Sequence, residues 1–219
     1  MTGATTTSPT PTGFELRTPD DWVDYSVADE ASENRMANEV WTRARDGGFT
    51  EDQAGQYAEQ LRRSVRQARA AGAVHAAGTF QVYEDGPLTA TVLVSVVTPP
   101  ATGDILGALT AVGQPARPDG TWRRVSTAQI PTIGTVGRVH GIQHVTQDGA
   151  TMRCAVMHTV VPLPGSANVL LVTGSSPNLA EAEELFELFA TITATLIFTW
   201  EGDGRALTPQ AASPVGVGG

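Results

Sequence analysis

From Val74 to Thr173 the chain is a succession of strand-length runs broken by tight-turn residues, and this limits its fold more than any other feature. Val74 to Tyr83 runs into Glu84-Asp85-Gly86-Pro87, and Leu88 to Val97, nearly continuous in β-branched residues, runs back. Asp and Gly supply the backbone angles of a reversal, and β-branched side chains suit a pleated surface. The pair predicts a hairpin whose second strand is central. Trp122 to Gln129 and Thr135 to Gln147 read as further strands. Asp148-Gly149 is then a two-residue hairpin turn, and Thr151 to Val161 returns from it. Val169 to Thr173 reads as a buried strand. Turns this short can join only antiparallel neighbours.

Helical signals sit on either side of this run. Residues 32–46 place Met36, Val40, Trp41 and Ala44 close together on one face and stop at Gly47-Gly48. Thr50 with Gln53 three residues on forms a capping box. Ala54, Tyr57, Ala58, Leu61, Val65 and Ala68 then recur at helical spacing up to Gly72. Residues 103–113 read as a short helix. Residues 177–197 read as a last one, with Ser176 as N-cap, Pro177 in the first turn, and Leu179, Leu185, Phe186, Phe189, Ile192 and Leu196 facing inward. Two short strands open the chain, Phe14 to Arg17 and Trp22 to Val27. The order lacks βαβ alternation, so the expected class is α+β: an antiparallel sheet of about six to seven strands with packed helices.

No internal repeat is present. Residues 1–13 and 201–219 are rich in Thr, Ser, Pro, Gly and Ala and too poor in apolar side chains to offset their ordering entropy. They are expected to be disordered tails around a single domain at 14–200, a length at which one hydrophobic core suffices. The formal net charge is -9, and all 14 basic residues are Arg. The absence of Lys beside abundant Ala, Gly and Pro fits a GC-rich bacterial genome. The negative charge argues against nucleic acid as a partner. The N-terminus lacks the basic and apolar segments of a secretory signal, and no stretch is apolar enough to span a bilayer. Cys154 is the sole cysteine, which suits a reducing compartment, so a cytoplasmic location is expected.

Phe14-Glu15-Leu16-Arg17-Thr18-Pro19-Asp20-Asp21-Trp22, a later meander, and the strand–turn–helix of Val169 to Thr173, Gly174-Ser175-Ser176 and 177–197 together resemble the PsbP-like fold family. That family is of the photosystem extrinsic subunit, Ran-binding Mog protein, DcrB and LpqN type. The chain also resembles an actinobacterial protein group. The PsbP-like resemblance implies binding and assembly roles rather than a shared reaction, and it carries over no site residue.

Several residue sets invite chemistry. The Asp148-Gly149 turn pairs 147 with 150, which sets His144 opposite Arg153, His140 opposite Met157 and Val139 opposite His158. His140 and His144 then share a face at the strand period of two, with a cation beside them, which does not suit a metal. Cys154 shares the other face with Val139, Val145, Met152 and Val156 and reads as a buried thiol. Its companion on that face, His158, is four residues along, about 13 Å by strand rise, so no catalytic pair is expected. Gly174-Ser175-Ser176 reads as a capped helix start, which could hold an anion. Asp20, Asp21 and Asp24 around Trp22 read as a solvated loop. Arg62, Arg63, Arg66 and Arg69 form a stripe off the apolar face of their helix; it is either a solvated face or an anchor for an acidic protein. The expected function is a non-enzymatic protein-binding or assembly module without metal or cofactor, its partner a protein and homo-oligomerisation through a sheet edge open to it. The alternative is a small-molecule-binding protein or enzyme using the sheet face around His140, His144 and Arg153.

Overall fold

A computed structural model of the chain describes residues 9–25, 30–70, 72–84, 86–99, 117–147, 149–200 and 205–207. The helix expected at 103–113 lies outside the described residues. Alternation and turns put β3 at Ala73–Tyr83, β4 at Gly86–Val97, β5 at Trp122–Ile130, β6 at Gly134–Gln147, β7 at Ala150–Pro162 and β8 at Val169–Ser176. With β2, Val23–Tyr25, they make a seven-stranded sheet in the order β2-β3-β4-β8-β7-β6-β5. Every neighbouring pair in it is antiparallel. The architecture is α+β, as the turn chemistry requires. The Asp148-Gly149 register holds residue by residue: Gln147 meets Ala150, His144 meets Arg153, His140 meets Met157 and Val139 meets His158. Gly149 takes a φ of 79°, the left-handed conformation that such a turn needs.

The two faces of the sheet are covered differently. Successive strand residues point to opposite faces. Ala76 and Phe80 of β3 pack with Met36, Val40, Ala44, Val65 and Ala68, the apolar stripes of α1 (Glu30–Asp46) and α2 (Glu51–Ala70). Ala77 of β3, Val92 and Val94 of β4, Met157 and Val161 of β7, and Leu170 and Val172 of β8 join Leu185, Phe186, Phe189 and Ile192 of α3 (Ala182–Ala194) on the opposite face. Gly174 lets α3 approach the sheet: a Cβ there would lie 2.6 Å from Cδ1 and Cδ2 of Phe189. Trp41, expected with the inward residues of α1, is exposed instead. It lies next to the buried stripe in projection but on its solvent side.

Two expectations for the chain ends are corrected. The last helix begins at Ala182, not Pro177, and Glu181 occupies its N-cap without a side-chain bond. Ser176 belongs to β8, and its hydroxyl accepts from the backbone N–H of Asn178 across a local turn. That helix also ends at Ala194. Ile197–Thr199 forms β9, which pairs with β1, Gly13–Glu15. β10, Arg205–Ala206, pairs with the other side of β1, completing a three-stranded sheet. Gly13 and Arg205–Ala206 thus form strands although both lie in segments expected to be tails.

Candidate functional site

His140, His144 and Arg153 share a sheet face but not an environment. His140 lies under α3, its ring edge-on to Trp122 at 5.6 Å and to Phe186 at 5.1 Å. Burial holds its imidazole below the usual range; Arg124 and Arg138 push the same way, and Glu183 opposes them. Its Nδ1 finds no hydrogen-bond partner among the described residues. His144 and Arg153 are exposed, farther along the strands. Arg153 donates to the backbone oxygen of Asp119 at 3.1 Å. The Asp119 carboxylate, held low by the amide and hydroxyl of Thr121, also feels His144. Four residues of strand separate the two histidines by about 13 Å. One is an aromatic packing element and the other is an exposed strand residue near the turn at Asp119.

The arginine stripe is tied into the helical layer. Arg62 and Arg66 both reach Glu59, at 3.4 and 3.0 Å. Arg66 and Arg69 also reach Glu33 of α1, at 3.6 and 3.4 Å, and the Glu33 side chain is only 5% exposed. Glu33 was not anticipated as buried. Its signal was its place between two helices, one bearing arginines at helical spacing. Arg63 lies on the exposed side of α2.

Cys154 is buried in an apolar strand face, which pushes its thiol up and away from nucleophilic use. His158 hydrogen-bonds Thr173 Oγ1 through Nδ1 at 3.0 Å, and burial followed by Arg123 holds it below its usual range. Among the described residues no group of three His, Cys, Asp or Glu could hold a metal ion. Of the acids near Trp22, Asp21 contacts Gln81, while Asp24 contacts Arg205 and lies near His75. An open cleft of about 570 Å³ on the helical layer is lined by Trp41, Glu51, Asp52, Gly55, Gln56 and Glu59.

The other exposed feature is β5. It pairs only with β6 among the described strands and so forms one edge of the sheet. Arg124 and Ser126, on the α3 face, and Thr127 and Gln129, on the other, are exposed. β5, β6 and β7 together carry four arginines and no acid, within a chain of net charge -9. Arg124 stacks over the Trp122 ring at 4.9 Å. Among the described residues no helix is long and apolar enough to cross a membrane.

No protein-family profile matches the chain, and no curated protein matches it. It is similar to the solved structure of LpqN, involved in cell envelope biogenesis of Mycobacterium tuberculosis, at 14% identity and a TM-score of 0.41. The similarity covers 87% of this chain and 86% of that one. At that level the likeness assigns neither a family nor a function.

Proposed function

We propose that this protein is a non-enzymatic assembly module that binds protein by strand addition at the β5 edge. The observation that carries the reading is that Ser126 and Thr127, adjacent residues on opposite faces, are both exposed on an edge strand nine residues long. An edge strand offers a row of backbone donors and acceptors to an incoming strand. Natural edges are commonly blunted by Pro, by shortness or by charged side chains; β5 has no Pro and is not short, and its two charges, Arg123 and Arg124, sit together near one end. The two sets singled out in the sequence offer less. Arg62, Arg66 and Arg69 of α2 are held by Glu59 and Glu33, and His140 is packed against aromatic rings. The lone buried Cys154 is compatible with a cytoplasmic setting, which belongs to this reading.

The test is capture from host lysate by the full chain, with Ser126→Pro and Thr127→Pro as separate variants. In an antiparallel edge strand, adjacent amides point in opposite directions, so one of the two positions faces outward and accepts Pro without loss of the fold. Circular dichroism identifies that variant. Loss of captured protein by it supports strand addition, and unchanged capture refutes it.

A further inference from the structure

We infer that the occupant of the β5 edge is β5 of a second copy, paired antiparallel about a two-fold axis at Ser126. The inference rests on the strand-addition reading and adds the partner and the register. Ser126 is the midpoint of Trp122–Ile130, so this axis alone pairs all nine residues. Each pairing is then compatible. Trp122 faces Ile130 of the second copy, Arg123 faces Gln129, Arg124 faces Ala128, and Val125 faces Thr127. No like charges are opposed across the strands, as cross-strand stability requires. Moving the axis two residues toward Trp122 would put Arg124 opposite itself, so charge fixes the register against that slip. Such an interface is isologous and closes after two copies, giving one continuous sheet of fourteen strands from two sheets of seven.

The basic character of the edge does not forbid this. Arg124 is drawn over Trp122 of its own strand. Arg123 and Arg124 of one copy lie several residues along the strand from those of the other. The remaining repulsion is between two chains of like net charge, which salt screens. The dimer therefore tightens as ionic strength rises. An acidic segment from another protein on the same edge would do the reverse.

The test combines association and cross-linking on the full chain. Sedimentation equilibrium is expected to give a monomer–dimer equilibrium that shifts toward dimer with added salt. Ser126→Lys places like charges on the axis and is expected to weaken association at least tenfold, with an unchanged circular dichroism spectrum because Ser126 is exposed. Under oxidation Ser126→Cys is expected to give a covalent dimer. Arg124→Cys, which would face Ala128, is expected to give none. Cys154 is buried and leaves the readout clean. A monomer at all concentrations, or equal cross-linking of the two cysteine variants, overturns the inference. Hydrogen exchange at β5 with a synthetic peptide of alternating Val and Glu separates the two claims. Protection of β5 by the peptide in a monomeric protein overturns the second copy but keeps strand addition. If neither peptide nor second copy protects β5, both fall.

Discussion

At the scale of single residues, burial decides the chemistry of the histidines, and His75 shows it most clearly. It is 3% exposed, edge-on to Phe14 with ring centroids 6.2 Å apart. Burial, aided by Arg205, lowers its pKa from 6.5 to about 3. Asp24 Oδ1 lies 3.7 Å from Nε2, too far for a hydrogen bond, and that carboxylate is already held by Arg205. The ring is therefore neutral in the folded protein. The unfolded chain takes up a proton at His75 below pH 6.5, whereas the folded one does so only near pH 3. Stability at this site is thus fully present above pH 6.5 and falls as pH drops toward 3, by up to about 1.4 kcal/mol per pH unit. His75→Phe keeps the aromatic contact and removes the titration. Urea unfolding at pH 7 and pH 5 is expected to show a smaller acid-side loss for the variant than for the wild type. Equal losses would mean that His75 is protonated in the fold.

At the scale of elements, strands and caps could be read from the sequence because their signals are local. Thr50 and Gln53 exchange the two bonds of a capping box, at 2.9 and 3.3 Å, and Asp148-Gly149 fixes the β6–β7 register. The start of α3 could not be read this way. Ser176-Pro177 has the composition of a helix start, yet Ser176 extends β8 and turns to Asn178, whose side-chain amide donates to the Pro87 backbone oxygen at 2.9 Å. A bond to a residue 91 positions away overrides a local cap. The arginine stripe of α2 was likewise legible as a pattern, but its anchor in α1 was not. Glu33 joins Arg66 and Arg69 across the helix pair from a buried position. Glu33→Gln leaves both guanidiniums facing a buried neutral group. Breaking a fully buried pair costs roughly 3–5 kcal/mol, but both arginines reach water, so about 1–3 kcal/mol is expected. Denaturant unfolding of Glu33→Gln, Arg69→Gln and the double variant is expected to give non-additive losses. Additive losses would mean that water screens the contact.

At the scale of the whole molecule, the antiparallel sheet and its class followed from turn spacing, whereas the small sheet that joins the chain ends did not. β1, β9 and β10 are two or three residues long, and their pairings span nearly the whole sequence, so no local pattern encodes them. The composition of 201–219 reads as a tail, yet Arg205 and Ala206 flank β1 and Leu207 N–H donates to Thr12 O at 3.3 Å. Arg205 Nη1 also donates to Leu16 O at 3.2 Å, and the same guanidinium contacts Asp24 of β2. This segment fastens the small sheet to an edge of the large one, over the fully buried Phe14. A chain ending at Trp200 loses these bonds, each worth about 1 kcal/mol net. Its unfolding free energy is expected to fall by about 1–3 kcal/mol, partly offset by the freed entropy of the segment. Arg205→Ala in the full chain is expected to incur only part of that loss, because the strand pairing survives. Thermal and urea unfolding of both proteins beside the wild type measure this directly. Coincident transitions for the shortened and full chains would place the end of the cooperative unit at Trp200. A lower midpoint for the shortened chain places β10 inside that unit.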